Sequence, residues 1–378
     1  MKTMAERVPA EVFPPGEFLR DELDARGWTQ TEFAEILGRP VRLVNEILVG
    51  KRGITPQTAQ EIGAALGTSP ELWLNLETGY RLSRAAPVPE RIGREARLRE
   101  RFPVREMIRR RWIEGSGDVR VLETQVKRFF GVETLDAPLS PPAAGRGVQG
   151  PTVLNRAEEA WLFRVEQVAA ALQVDAAYSE QGLRDSLPRL QELLADPEYV
   201  RQVPAELAKC GVRFVVVEPL PDCRVDGVCF WREKPVSPVI GMSLRFDRID
   251  YFWFVLRHEI EHVLRGEVSV DADLDPDAAP SAAGTPTQER AANEAAADFC
   301  LPGDHLDHFT AHVHPVDSEQ RMVAFARSVG VHPGIVVGEM QKRTGGHQRL
   351  RRHLVKVRDI LTESATTDGY GHFRPPTL

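Results

Sequence analysis

Two histidines four residues apart, with a glutamate directly after the first, stand in RHEIEHVLRG at 257–266. On a helix, His258 and His262 project from one face, so both imidazoles can hold one ion. Glu259 is turned about a quarter of a circle away. It is placed to reach a water beside the ion rather than the ion itself, which is the arrangement of a general base next to a Lewis acid. A catalytic zinc needs a third protein ligand and an open fourth position. The segment TPTQERAANEAAADFCLP (285–302) offers one. Thr285 suits an N-cap, Pro286 the first helical position, and Gln288 the closing residue of a capping box. Glu289 then lies in the first turn and is the expected third ligand. Asn293 follows one turn later on the same face. It is expected to accept a hydrogen bond from the far nitrogen of a ligating histidine. Glu294 is the rival ligand, but it points away from the Glu289 face. The expectation is one zinc per chain. A closed structural zinc would want thiolates, and no cysteine is placed to supply them.

The elements that must carry these residues are legible from pattern. A helix is expected over 249–264, with Asp247 as N-cap and Gly266 just past its end. Trp253, Leu256, Ile260 and Val263 give it an apolar face. The next helix is expected over 286–301, stopped by Pro302, and its alanines should let it pack closely on the first. Strands are expected at 212–220, 227–231 and 237–244, after a helical region over about 155–210. The stretch 271–288 reads as an acidic, Pro- and Ala-rich loop. More helix is expected to about Leu361, then a flexible tail over 362–378.

Residues 14–82 read as about five short helices. Thr29 and Glu32 form a capping box, and Thr55–Pro56 and Ser69–Pro70 mark two more helix starts. Gly38 and Gly67 stand where helices end in a left-handed residue. The stretch WTQTEFAEILGRPVRLVNEILVGKRGIT (28–55) reads as helix, tight turn, helix, with Phe33, Ile36, Val44 and Ile47 as shared core. A second helix of this kind enters the major groove with its N-terminal residues leading. Arg39, Arg42 and Asn45 would face bases, Lys51 and Arg52 phosphates, and Gln30 the backbone nearby. Val41 and Leu43 are less polar than a reading helix favours. Residues 1–82 carry nine Lys/Arg against twelve Asp/Glu, so the unit is acidic overall.

Two resemblances attach to these residues. The segment from PGEFLRDELDARGWTQTEFAEILG to SPELWLNL resembles HigA-type antitoxins of the XRE class over 14–82. That implies operator DNA, a homodimer and, as a further partner, a toxin. From about Trp161 to Leu361 the chain resembles the ImmA/IrrE zinc metallopeptidases. The matching pieces are RHEIEHVL, the Glu289–Asn293 helix ending in FCLP, and VHPGIVVGEMQ at 331–341. This second resemblance implies a minimal gluzincin (zincin-like) fold in which His258, His262 and Glu289 bind zinc and Glu259 activates water. It also implies a protein substrate, a helix-turn-helix repressor of the XRE type. Glu261 departs from the small residue common there. The resemblance names no group for the oxyanion; Tyr251, on the histidine face two turns before His258, is a candidate. Substrate is expected along an edge strand within 227–244.

The fold class expected is therefore α+β. An all-α helix-turn-helix domain (1–82) leads to a basic helical connector and Pro/Gly-rich linker (83–152). A helix-rich gluzincin domain with a small sheet (153–361) and the tail complete it. In the connector, residues 84–128 hold thirteen Lys/Arg against seven Asp/Glu, although the whole chain of 378 residues has a net charge of −7. Four scattered cysteines, no apolar run long enough for a bilayer and no secretory leader pattern suit a cytoplasmic protein. The histidines at 305, 308, 312 and 314 have spacing for a second metal, but such clusters are more often surface groups. DADLDPD (271–277) mimics the start of a calcium loop but lacks its glycine and its bidentate glutamate. The reading that follows is a regulator joining operator binding to zinc-dependent peptide cleavage. The alternative is an antitoxin-like repressor whose zinc fold is a sensor or dimer module.

Overall fold

The computed structural model describes residues 12–141, 154–233, 236–272, 287–305, 319–344 and 350–373. The chain divides into two compact units, Met1–Glu90 and Arg91–Leu378.

Among the described residues the first unit holds five helices: α1 (Pro15–Arg26), α2 (Gln30–Leu37), α3 (Val41–Leu48), α4 (Pro56–Leu66) and α5 (Pro70–Arg84). Their ends are where the caps place them. Thr29 and Glu32 make the reciprocal capping box, and the Thr55 and Ser69 hydroxyls accept from backbone amides in the first turns of α4 and α5. Gly38 and Gly67 end α2 and α4 with φ of 60° and 73°, a conformation that costs glycine little. Leu19, Phe33, Val44, Ile47, Ile62 and Trp73 fill the core. Ile36, expected there, is half exposed instead, because the α2 residues that turn inward are Phe33 and Ala34.

The second unit is built on a mixed six-stranded sheet. Three helices come first: α6 (Glu90–Arg101), α7 (Val104–Arg109) and α8 (Val119–Phe130). Next are α9 (Arg156–Ala171), α10 (Glu180–Glu192) and α11 (Val203–Lys209). Strands β1 (Arg213–Val217), β2 (Val225–Glu233) and β3 (Val236–Met242) lead into α12 (Ile249–Leu264). Then come β4 (Ser269–Ala272), α13 (Thr287–Cys300), α14 (Glu319–Ser328), α15 (Pro333–Thr344) and α16 (Arg358–Thr362). Strands β5 (Thr366–Gly369) and β6 (His372–Phe373) close the chain. The strand order is β4-β2-β3-β1-β5-β6. β1 runs parallel to β3 and β5; β2 runs antiparallel to β3 and β4.

Each sheet face carries its own core. One joins Phe214, Val216, Cys229 and Ile240 to α12 and the helices around it. The other joins Val215, Val217, Val228 and Phe230 to α9 and to α6–α8. α12 is buried nearly all round, which fits a central helix between the sheet and its helical cover.

Four expectations change here. The basic connector is no connector: Leu98, Phe102, Met107, Trp112 and Phe130 are core residues of the second unit. Within its basic run, Arg110 donates to the carbonyls of Glu218 and Pro219 at 3.0 and 2.7 Å, so part of that charge is structural. The tail is not flexible over 366–373. β5 extends the sheet, with Thr366–Asp368 pairing in parallel with Val215–Val217 of β1, and Asp368 receives Trp112 Nε1 at 3.0 Å and the Arg164 guanidinium. Asp247 does not cap α12; it accepts from the amides of Val357 and Arg358, at the start of α16. Finally, β2 and β3 are both flanked on two sides, so no substrate edge lies within them; the edge beside β2 belongs to β4. The four cysteines are free and buried, and no described helix is long and apolar enough to cross a membrane. Thr285, Pro286, His308, His312, His314 and residues 273–277 lie outside the described residues, as does most of the proposed linker.

Candidate functional site

α12 places His258 and His262 one turn apart, and both rings turn Nε2 toward the same point, 3.0 Å from each other. Both are buried. α13 packs against α12 through Ala292 and Ala296, which are fully buried and short enough for close approach. That packing brings Glu289 to the same point, with Oε2 3.4 Å from His258 Nε2 and Oε1 3.7 Å from His262 Nε2. Glu294 is exposed, so the rival ligand faces away.

A fourth group joins them that the sequence did not reveal. Asp271 Oδ2 lies 3.4 Å from His258 Nε2 and 3.9 Å from His262 Nε2. Ligand atoms of His258, His262, Asp271 and Glu289 all fall within 4.8 Å of one another. Zinc held tetrahedrally at about 2.0–2.1 Å separates its ligand atoms by about 3.3 Å, so these spacings suit one ion. The outer nitrogens are also fixed. His258 Nδ1 is 3.1 Å from Asn293 Oδ1, as expected, and His262 Nδ1 is 2.9 Å from Glu267 Oε2. Acceptors at both Nδ1 atoms hold the proton there and leave the Nε2 lone pairs facing inward.

Charge in the site supports the same fit. Burial pushes His258 toward the neutral form, but the Asp271 and Glu289 carboxylates outweigh it and hold its pKa at about 9. Asp271 is held below the carboxylate range against its own burial, chiefly by His258. Glu259 is wholly buried, and neither carboxyl oxygen has a hydrogen-bond partner among the described residues. Burial first, then the carboxylates of Asp271, Glu289 and Asp226, push it well above the ordinary range. Several acidic groups around two imidazoles, with an orphaned carboxyl beside them, are a donor set that a divalent cation satisfies.

Glu259 is admitted by the strand beneath it. A Cβ on Gly227 would stand 2.0 Å from Glu259 Oε1. β2 is irregular between Val225 and Gly227, so alternation slips. Val225 and Val228 both join the core on the α9 face, which leaves Asp226 and Gly227 to the α12 face. Asp226 forms a two-pronged ion pair with Arg245 at 2.9 and 3.0 Å. Tyr251 is buried with its ring against Phe246 and with Asp226 and Arg245 acting on its hydroxyl, which has no hydrogen-bond partner among the described residues. Glu261 bridges the buried Arg257 and the exposed Arg265.

The sequence held weak signals for what it missed. VSVD (268–271) alternates apolar and polar, the mark of a strand: Val268 and Val270 pack on the α9 side, and Asp271 takes the other face. Glu267 follows Gly266, whose φ of 68° turns the chain back toward His262.

In the first unit, Gln30, Arg42, Asn45, Lys51 and Arg52 are exposed, as their expected role needs. Asn45 donates to Gln30 at 3.2 Å, and Arg42 and Arg52 each donate to Glu46 at 2.8 Å. Arg39 is half-buried and donates twice to Glu61 on α4, at 3.1 and 2.5 Å. It therefore braces the turn between α2 and α3. Val41 on α3 and Val49 just past its end are exposed beside Arg42 and Asn45, giving this region a mixed apolar and polar outer face.

The helix-turn-helix family profile matches residues 19–73. An HTH-type transcriptional regulator of Escherichia coli K12, YddM, is 31% identical over 71 residues, which are 19% of this chain and 76% of that protein. The chain belongs to the helix-turn-helix family. Its N-terminal unit is a DNA-binding regulator domain of the XRE type, and the family membership rests on that unit alone. Virulence-associated protein A' of Dichelobacter nodosus is 39% identical over 70 residues, 18% of this chain and 61% of that protein. Among solved structures, a HigA-family addiction module antidote protein from Coxiella burnetii is 37% identical, covering 20% of this chain and 83% of that one, with a TM-score of 0.19. α2, the Gly38 turn and α3 lie within the matched residues 19–73.

Proposed function

We propose that this helix-turn-helix protein couples operator binding by its first unit to zinc-dependent endopeptidase activity in its second, in the manner of the ImmA/IrrE metallopeptidases. One observation carries the reading: His258, His262 and Glu289 converge with Asp271 on one point, and the Asp271 and Glu289 carboxylates act on the buried, unpartnered carboxyl of Glu259. Those three residues would hold the zinc. When bound, zinc supplies a Lewis acid for a peptide carbonyl and lowers the pKa of water. Asn293 and Glu267 fix the histidine tautomers. Glu259 takes the proton of the attacking water and returns it to the leaving amine. The substrate is a protein, and a helix-turn-helix repressor is the class proposed. Operator DNA is met by the exposed α3 face and Lys51, with the chain acting as a homodimer.

The test is the metal content of the purified chain beside His262→Ala and Glu289→Ala. About one zinc per wild-type chain, lost in both variants, is the expected result. Glu259→Gln should keep the zinc and lose cleavage of a co-expressed helix-turn-helix repressor or of the chain itself. Full-rate cleavage by that variant would sink the mechanism.

A second reading has a specific support: the family profile matches residues 19–73, and YddM and virulence-associated protein A' match 19% and 18% of the chain. On that reading the protein is an antitoxin-like repressor, a toxin is its partner, and the metal fold is a sensor or dimer module. Stoichiometric zinc with no cleavage of any repressor, and co-purification with a small toxin, would favour it.

A further inference from the structure

The geometry points to a self-blocked site: strand β4 occupies the peptide track beside β2, and Asp271 takes the fourth coordination position. This rests on the metallopeptidase reading above.

A catalytic zinc leaves one position open for water. Here a fourth protein atom already stands at ligand distance. Asp271 Oδ2 is as near to His258 Nε2, at 3.4 Å, as Glu289 Oε2 is. Asp271 is the more buried of the two carboxylates. The Ser269 hydroxyl donates to the same Oδ2 at 2.6 Å and aims it.

The strand explains how Asp271 gets there. β4 pairs antiparallel with β2, matching Ser269 to Cys229, Val270 to Val228 and Asp271 to Gly227. Gly227 is the residue against which Glu259 rests. Any chain added to this edge of β2 would present its residue opposite Gly227 to the ligand focus and to Glu259 together. An extended substrate binds by such strand addition. β4 already makes those backbone bonds, so substrate and β4 compete for one edge. Among the described residues β4 spans four residues at the edge of the sheet, and few hydrogen bonds hold it there. Release of β4 would free both the edge of β2 and the fourth position in one movement.

The experiment uses the full chain loaded with Co²⁺, whose visible absorption reports ligand number, with zinc affinity measured by chelator competition. Variants are Asp271→Ala and the near-isosteric Asp271→Asn, which keeps an acceptor for Ser269. In wild type the cobalt spectrum should not change with pH, since four protein atoms fill the sphere. In Asp271→Ala, water takes the fourth position and the spectrum should become pH-dependent. Zinc affinity should fall by at least the roughly 10–100-fold that loss of a merely supporting partner costs. Cleavage of a repressor by Asp271→Ala should rise above wild type. Asp271→Asn should follow Asp271→Ala in spectrum and affinity while melting with wild type. Cobalt spectra and zinc affinities that match across the three proteins would overturn the blocked site and leave the three-ligand peptidase standing. A wild-type spectrum that already titrates would do the same. If the wild-type chain takes up neither metal, the metallopeptidase reading falls and this inference with it.

Discussion

A single missing Cβ makes room for the buried carboxyl of Glu259. On Gly227 that atom would stand 2.0 Å from Oε1 of Glu259, and the buried side chain has little space to retreat. Gly227→Ala should therefore leave metal content intact and lower cleavage by roughly 100-fold, the cost of displacing a catalytic group by about 1 Å. Zinc analysis beside a rate assay checks it; unchanged turnover would show that Glu259 can be moved without penalty. The acceptors behind the imidazoles make a second prediction. Asn293→Ala and Glu267→Ala should each weaken zinc about 10–100-fold without abolishing it, measured by chelator competition. A loss in Asn293→Ala alone would mean that His262 is oriented by something other than Glu267. Asn293 was legible, being one turn from Glu289 on the same face. Glu267 was not, because its reach depends on the turn at Gly266.

At the scale of elements, the helix-turn-helix unit stands on caps and ion pairs that acid removes. Hydrogen bonds from Thr29 hold Glu32 below its ordinary pKa of 4.5, Arg42 and Arg52 do so for Glu46, and Arg39 for Glu61. A depressed folded-state value means stability that is present above 4.5 and is lost as pH falls through the folded value. The melting temperature of the unit should fall on acidification below that point, and Glu61→Gln should flatten the dependence. Thr29→Ala should cost about 1 kcal/mol by loss of the N-cap, read from denaturant unfolding. The helix pair that carries His258, His262 and Glu289 answers to packing instead. Ala296 is fully buried between α12 and α13, so Ala296→Leu should cost about 1–3 kcal/mol by overpacking and move Glu289 off the histidines. Retained stoichiometric zinc in that variant would show a looser interface than the burial implies.

For the whole second unit, the two ends of its sequence are tied together. Asp368 on β5 receives Trp112 from the region before α8 and Arg164 from α9, both buried. Asp368→Ala leaves a buried guanidinium unpaired, which should destabilise by about 3–5 kcal/mol. Truncation after residue 364 should do more, since it also strips β1 of its neighbour. Thermal melts of the two proteins check this; wild-type melting of the truncated chain would restore the flexible-tail reading.

The sequence by itself determined the parts whose rules are local. Capping boxes, helix-ending glycines and the period of apolar residues placed α2–α5 and α12, and spacing alone put His258, His262 and Glu289 on helix faces able to meet. Only the tertiary structure decided which distant segments share a neighbourhood. Asp271 became a ligand-distance group because β4 registers on β2, and Gly227 became the seat of Glu259 because β2 slips at residues 225–227. Arg39 became a brace because α4 brings Glu61 to it, and the tail became a strand because β1 had an unpaired edge. Strand register and helix packing are set by contacts far apart in the chain, and local periodicity carries no record of them.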